Sequence, residues 1–272
     1  MKIAFIGGGN MASALIAGLA GKLTEGGDIH VVDPNAAALA RLCTQYGVTS
    51  APSIDAALAT SDVIVLAVKP QQMREVAAAL LPHVGASMPL IVSIAAGIRG
   101  ADLARWLGGY GAIVRAMPNT PALIGRGITG MVAMAGVSAP QKAAADSVMK
   151  AVGQTVWLDD EAQIDAVTAV SGSGPAYVFY FIEAMQQAAV EMGLSDAQGR
   201  ELALATFVGA SQLAAQSDDP VPVLREKVTS KGGTTHAALA SMEQSGVKER
   251  IIEAMKAAAE RGRELGVEMG RD

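Results

Sequence analysis

The stretch IAFIGGGNMASALIAGLAG, residues 3–21, joins a short apolar run, three glycines in a row and an alanine- and leucine-rich segment of helical period. That order predicts a strand, a tight turn and a helix. The turn matches the pattern G-x-G-x-x-G/A with Gly7, Gly9 and Ala12. In dinucleotide-binding folds the first glycine permits the turn, the second lets backbone approach a pyrophosphate, and the last small residue lets the helix pack on the strand. A lone match is weak evidence, so its context has to decide.

The sequence that follows extends this unit into a sheet. DIHVVD, Asp28–Asp33, predicts a second strand that ends in an acid, which completes a βαβ unit of the expected length. Further apolar runs predict strands at Val63–Val68, Leu90–Ile94, Ala112–Met117, Gly127–Ala135 and Thr155–Asp160. Ligands of doubly wound sheets bind outside the carboxyl ends of the strands, so we expect the first turn and the breaks after the later strands to line one crevice.

After Asp160 the strand patterns stop. SGSGPAYVFYFIEAM, Ser171–Met185, predicts a long apolar helix with Pro175 in its first turn. Further helices are predicted at Ala197–Ala215, Val221–Thr229, Thr235–Ser245 and Val247–Leu265. We therefore predict an α/β fold, in which a Rossmann-type doubly wound sheet in residues 1–160 precedes an all-α domain in residues 161–272.

Composition bounds the function. The chain has 272 residues, 51% of them hydrophobic and 17% charged, which is typical of a folded globular protein. Its net charge of −5, without a clustered basic run, argues against a nucleic-acid partner and favours small-molecule chemistry.

No oxidising compartment, membrane or metal is indicated. The single Cys43 excludes an intramolecular disulfide, and its apolar helical setting predicts a structural thiol. The opening MKIAFIGGG is too short and too glycine-rich for a signal peptide, and no segment offers 18 unbroken apolar residues, so we expect a cytoplasmic protein. His30, His83 and His236 are far apart and lack cysteine partners at metal spacing, so no metal site is expected.

VTSKGGTTHAAL, Val228–Leu239, places two glycines among hydroxyl side chains in otherwise helical sequence. Two glycines cost a helix about 2 kcal/mol relative to two alanines, so this break needs a structural or a chemical reason. Taken alone, the stretch is compatible with a simple turn between helices and with a ligand site.

Six segments together resemble one family. In chain order they are GGGNM, AVKP, SIAAG, RAMPNTP, SGSGPAY and VTSKGGTTHAAL, and they span residues 7 to 239. This order resembles pyrroline-5-carboxylate reductase, the last enzyme of proline synthesis. One departure is Lys231, where many family members have proline, which would stiffen the turn.

The resemblance implies reduction of the cyclic imine 1-pyrroline-5-carboxylate to L-proline. It implies that the loop Ser230–Thr235 holds the substrate carboxylate on the amides of Gly232, Gly233 and Thr234, with the Ser230 hydroxyl beside it. Backbone N–H groups at a helix N-terminus form an anion site, which agrees with this role. Thr235 would face the ring nitrogen as the catalytic residue. His236 is the alternative acid, but the next residue on a helix points about 100 degrees away.

The resemblance also implies an NADP(H) cofactor, with NAD(H) possible. Asp33 ends the second strand, where an acid commonly binds a ribose 2′-OH and repels a 2′-phosphate, so Asp33 by itself favours NAD. We expect NADPH, with NADH accepted. The expected cofactor-binding residues are Gly7, Gly9, Asn10, Met11, Asp33, Val68, Lys69, Pro70, Ala95, Gly97 and Asn119. The alternatives are a solvated lysine for Lys69 and a turn-capping amide for Asn119.

Two other functions share these features. A β-hydroxyacid dehydrogenase also has a Rossmann domain followed by helices, but it needs a lysine on the interdomain helix, and no lysine follows SGSGPAY before Lys227. A catalytically silent dinucleotide sensor would not need both the glycines and the hydroxyls of the Ser230–Thr235 loop.

The helices after Gly174 are rich in small residues and methionine, as in EAMQQAAVEMG and IIEAMKAAAERG. Such helices approach one another closely and favour packing against a partner. We predict an obligate homodimer, and the resemblance implies further assembly, in many family members, into a decamer of five dimers.

Overall fold

The computed structural model describes residues 1–84 and 88–271, which form two compact units. The first unit comprises Met1–Ser173 and Ala258–Asp272, and the second comprises Gly174–Ala257. The predicted domain boundary after residue 160 lies within the first unit. The division into a cofactor domain before it and a substrate domain after it stays a prediction.

The described part of the first unit contains an eight-stranded sheet with the order β3-β2-β1-β4-β5-β6-β7-β8. The strands are β1 Ile3–Ile6, β2 Ile29–Val32, β3 Thr49–Ala51, β4 Val63–Leu66, β5 Leu90–Ser93, β6 Ile113–Met117, β7 Gly127–Ala133 and β8 Gly153–Trp157. The pairing of β6 with β7 is antiparallel, and the other pairings are parallel. The predicted Rossmann-type α/β fold is confirmed, with β3 as a strand that the sequence pattern did not predict.

Helices cover both faces of this sheet. They are α1 Asn10–Leu19, α2 Ala36–Tyr46, α3 Met73–Val84, α4 Gly100–Trp106, α5 Ala139–Lys150 and α6 Gln163–Val167, and a π-helical turn, Thr168–Gly172, follows α6. Neighbouring residues of β1 enter opposite cores: Ile3 and Phe5 belong to one hydrophobic cluster, and Ala4 and Ile6 belong to the other. Burial on both faces explains why the parallel strands are continuous apolar runs.

The second unit is helical. It contains α7 Gly174–Glu191, α8 Asp196–Gln216, α9 Val221–Lys227, α10 Thr234–Gln244 and the first part of α11 Val247–Met269, whose last part belongs to the first unit. Pro175 lies in the first turn of α7, as predicted. The other predicted helices are present with ends shifted by a few residues.

Very little of the second unit is buried in a single chain. Between residues 174 and 257 the buried residues are Ala189, Gly199 and Ala203, which lie on α7 and α8. Large apolar side chains of the same helices are exposed, such as Phe179 at 65% and Tyr180 at 70%. Since exposed apolar surface of this extent marks an interaction site, these helices need a partner surface.

Gly18 shows how tightly the first unit is packed, and it provides a test of the fold. A Cβ atom at Gly18 of α1 would lie 2.4 Å from the carbonyl oxygen of Ala151. Gly18→Ala should therefore lower stability by about 1–3 kcal/mol, since backbone must move to admit the methyl group. Thermal unfolding measures the effect.

Gly27→Ala is the matched control, because Gly27 is exposed and a Cβ there meets nothing within 4 Å. Its effect should stay within about 0.5 kcal/mol. Equal unfolding temperatures for the two variants would contradict the packing of α1 described above.

Candidate active site

The first turn depends on a glycine that no other residue replaces without strain. Gly7 has a φ of +102°, and a Cβ atom there would lie 2.6 Å from the carbonyl oxygen of Ala67. The Gly7 amide donates to the carbonyl of Val32 at 2.8 Å. This close approach brings the turn after β1 against the carboxyl ends of β2 and β4, as expected of the first glycine in the motif.

The acid at the end of β2 is tied to that turn. One Asp33 oxygen, Oδ2, accepts a hydrogen bond from the Gly8 amide at 2.7 Å, and Oδ1 accepts one from the Asn35 amide at 2.7 Å. The Asn35 side chain in turn accepts from the amides of Ala37 and Ala38 and caps α2. Asp33 is therefore held beside the glycine turn by backbone donors, and its carboxylate retains further acceptor capacity.

The N-terminus of α1 is open. Gly9 is exposed, and a Cβ atom there would meet nothing within 4 Å. Gly9 is the N-cap residue, and no side chain caps the helix. The first amides of an α-helix, here those of Asn10, Met11 and Ala12, have no acceptor within the helix, so they can bind an anion.

The later strands add to the same edge of the sheet. In the register of the sheet Ile6 is a partner of both Val32 and Leu66, and Leu66 is a partner of Ser93. The residues that follow β4 and β5 therefore join the glycine turn at the carboxyl edge. They include the predicted cofactor residues Val68, Lys69, Pro70, Ala95 and Gly97.

Two features of the structure favour glycine at position 97. Its φ is +73°, and a Cβ atom there would lie 3.2 Å from the Cβ atom of Leu265 on α11. The turn after β5 thus packs against the last part of α11. Lys69 is exposed, which fits both a cofactor contact and the solvated alternative.

Asn119 was expected at the cofactor or as a turn cap, and its side chain makes two hydrogen bonds to other parts of the backbone. Its Oδ1 accepts from the Ile128 amide at 2.9 Å, and its Nδ2 donates to the Ser171 carbonyl at 3.2 Å. It does not cap the turn that it begins. Asn119 joins β7 to the SGSG segment, and its role toward the cofactor stays a prediction.

The predicted substrate loop lies before α10, in the second unit. Gly233 is the N-cap of α10 and no side chain caps the helix, so the amides of the first turn, from Thr234 onward, are open to an anion. The Gly233 amide donates to the Ser230 carbonyl at 3.0 Å, and Gly232 has a φ of +76°. The Gly233 amide therefore closes a turn, and the amides of Thr234 and Thr235 are the better candidates to hold a carboxylate.

The predicted cofactor residues all lie in the first unit, and the predicted substrate residues all lie in the second. Sequence reasoning missed Gly8, whose amide anchors Asp33. The signal for it was the middle one of three consecutive glycines, at a position that the motif leaves unspecified. Among the described residues, no group of three histidine, cysteine or acidic side chains is placed to hold a metal ion. No helix in that part of the chain is both long and apolar enough to cross a membrane.

A mostly parallel sheet with an open helix N-terminus after β1 and an acid after β2 defines the class of Rossmann-type nucleotide-binding proteins. Two family models match the chain. Residues 2–97 match the family described as NADP oxidoreductase, coenzyme F420-dependent. Residues 161–265 match the family described as pyrroline-5-carboxylate reductase dimerisation.

Full-length relatives agree with these matches. The pyrroline-5-carboxylate reductase of Pseudomonas aeruginosa is 46% identical over 270 residues, which cover 99% of this chain and 98% of the relative. A pyrroline-5-carboxylate reductase structure from Coxiella burnetii superposes with a TM-score of 0.92 at 38% identity, and covers 97% of this chain and 98% of its own. The Plasmodium falciparum enzyme with NADP bound gives a TM-score of 0.86 at 31% identity, with 98% of both chains covered.

The chain belongs to the pyrroline-5-carboxylate reductase family and is an oxidoreductase of proline biosynthesis. The resemblance seen in the sequence is confirmed, and the β-hydroxyacid dehydrogenase and sensor alternatives are set aside. The match to the dimerisation model accounts for the exposed apolar helices of the second unit, which form a homodimer.

Proposed function

We propose that this chain reduces 1-pyrroline-5-carboxylate to L-proline with the substrate carboxylate held by the Ser230–Thr235 loop. The observation that carries this proposal is the uncapped N-terminus of α10, preceded by a glycine of positive φ. The open amides and the helix dipole both favour an anion at this point. The exposed Ser230 hydroxyl adds a further donor.

The cofactor supplies the hydride that the imine carbon receives. The protein has to hold the ring nitrogen in a fixed direction and provide a path for one proton. Thr235 lies in the first turn of α10 and is exposed, so its hydroxyl can orient the nitrogen of a substrate whose carboxylate sits on the neighbouring amides. A threonine hydroxyl is too weak an acid to serve alone near neutral pH, so Thr235 relays a proton from water.

The proposed cofactor is NADPH, with NADH accepted. The family model on residues 2–97 is described as an NADP oxidoreductase, and the Plasmodium falciparum relative carries NADP. The acid at Asp33 opposes this choice, since a carboxylate repels a 2′-phosphate. Its two backbone hydrogen bonds from Gly8 and Asn35 spread part of that charge, which reduces the repulsion.

Assembly beyond the homodimer and location in the cell complete the proposal. Many family members form rings of five dimers, so we propose a decamer for this chain as well. We also propose a cytoplasmic location.

Thr235→Ala tests the catalytic assignment. Loss of one hydrogen bond to a polar transition state should reduce kcat/KM for the imine by about 10- to 150-fold, equivalent to about 1.5–3 kcal/mol. The dissociation constant of NADPH should change less than twofold, as roughly expected when the removed group contacts only substrate. Steady-state kinetics and a cofactor fluorescence titration measure the two effects.

His236→Gln is the companion variant, because His236 is the competing proton donor on the same helix turn. We expect it to retain activity. A normal kcat/KM in Thr235→Ala together with a large loss in His236→Gln would transfer the catalytic role to the histidine.

Asp33→Asn tests cofactor choice. Removal of the negative charge should raise the ratio of kcat/KM for NADPH to kcat/KM for NADH by about five- to tenfold, since about 1 kcal/mol of repulsion disappears. Initial rates with both cofactors give this ratio. An unchanged ratio would show that the carboxylate serves only to hold the Gly8 and Asn35 amides.

Sedimentation velocity at dilute, near-assay concentration tests assembly. We expect decamers at high concentration and active dimers as the smallest species, with stability that falls on dilution. Dimers at all concentrations would rule out the proposed decamer. A fully active monomer would refute the role in dimerisation assigned to the exposed helices.

A further inference from the structure

Three separate parts of the first unit meet at one carboxylate oxygen. Oε1 of Glu161 accepts a hydrogen bond from the Gly100 amide at 2.5 Å and another from Nη1 of Arg115 at 2.7 Å. Gly100 begins α4, Arg115 lies within β6, and Glu161 lies just before α6. A single side chain therefore connects the turn after β5, the strand that leads to Asn119 and the segment that leads to SGSG.

Arg115 makes this carboxylate hard to replace. The arginine is 6% exposed, so its charge is nearly removed from water. A buried guanidinium that loses its partner is strongly destabilising, whereas replacement of both charges by apolar side chains of similar volume is often tolerated. Asp165 lies in the same neighbourhood. Burial raises the pKa of its carboxyl, and the charges of Arg115, Arg99 and Arg263 oppose that shift.

Gly100 connects Glu161 to the proposed cofactor site. It follows the turn Ala95–Gly97 by three residues, and the N-cap residue of α4, Arg99, provides no side-chain cap. A Cβ atom at Gly100 would lie 1.9 Å from Sδ of Met134, so the backbone there is also closely packed. The Glu161 oxygen thus accepts a hydrogen bond from the Gly100 amide at the start of α4, which has no acceptor within the helix.

The same end of the turn also packs against α11. Gly97 lies against Leu265, and Nη2 of Arg99 donates to the Arg263 carbonyl at 3.5 Å. A Cβ atom at Gly266 would lie 3.0 Å from Nε of Arg99. The turn is therefore fixed from α11 at Gly97 and Arg99, and from Glu161 at Gly100.

We propose that Glu161 is a positioning residue for the cofactor, which acts through the Gly100 amide and through Arg115. This inference rests on the proposed function, in which the turn Ala95–Gly97 binds the cofactor. The turn follows β5 at its N-terminal end and is held by α11 and Glu161 at its C-terminal end, so it presents its backbone to a ligand without the cost of ordering it first. Loss of the Glu161 charge weakens the hold on the C-terminal end and leaves Arg115 without its ion-pair partner in the next strand.

Glu161→Gln tests the proposal, because the amide oxygen can still accept from Gly100 and Arg115 but carries no charge to neutralise Arg115. The dissociation constant of NADPH, measured by fluorescence titration well below the unfolding temperature, should rise about three- to tenfold. The KM for NADPH should rise with it, while the KM for the imine stays within about twofold. Glu268→Gln is the matched control, since Glu268 pairs with Arg261 on the exposed surface of α11 and should leave NADPH binding unchanged.

A double variant, Arg115→Met with Glu161→Leu, separates positioning from stability. It removes both charges at similar volume, so thermal stability should stay close to wild type, yet the Gly100 amide still lacks its acceptor. We expect weakened NADPH binding in this variant as well. If Glu161→Gln does not fold, the double variant decides alone, and wild-type NADPH affinity in it would overturn the proposal.

The remaining outcomes are distinct. Glu161→Gln with a lowered unfolding temperature and an unchanged NADPH dissociation constant would reduce Glu161 to a structural residue and overturn the inference. Absence of NADPH binding by the wild-type protein would overturn the proposed function and the inference together.

Discussion

The helices of residues 174–257 cannot bury their own apolar side chains, and the proposed substrate loop lies among these helices. In a single chain, Phe179 and Tyr180 are mostly exposed while only small residues are covered. Full burial of a large apolar side chain stabilises by about 1.5–3 kcal/mol, so several such side chains exceed the net stability of many domains. Association with a second copy is therefore part of folding for this unit. The Ser230–Thr235 loop is carried by these helices, so its geometry depends on the same association.

The first unit has the opposite character, because its sheet is buried on both faces within one chain. It can hold its turns in place without help from a partner. Gly7 has no room for a side chain beside Ala67, and the Asp33 carboxylate fixes the Gly8 amide. The first unit therefore carries a preformed glycine turn, whereas the proposed substrate loop lies in the unit that needs a partner to bury its helices. Preorganisation of this kind limits the ordering cost of binding to the less rigid part.

The sequence predicted those features that are local or periodic. The strands of the Rossmann unit are apolar runs and the first turn needs its glycines, so the sequence pattern predicted both. β3, Thr49–Ala51, is short and largely exposed, so it has no apolar run from which a strand could be predicted. The antiparallel direction of β7 follows from the short connection after β6, residues 118–126, which leaves no room for the crossover that a parallel strand needs. Gly100, Arg115 and Glu161 meet across 46 and 61 positions, and no local pattern encodes such a meeting.

In the proposed substrate loop, the structure explains what the departure from the family pattern at Lys231 changes. The Gly233 amide bonds the Ser230 carbonyl at 3.0 Å across Lys231 and Gly232, and Gly232 has a φ of +76°. This is the pattern of a type II turn, whose second residue favours proline and whose third favours glycine. Lys231 occupies the proline position, so the unfolded and unliganded loop has more backbone freedom, worth about 0.4–1 kcal/mol. The glycine at the third position, which the turn cannot lose, is retained. Lysine at position 231 therefore makes the loop less stiff, but it does not change the direction in which the N–H groups of α10 point.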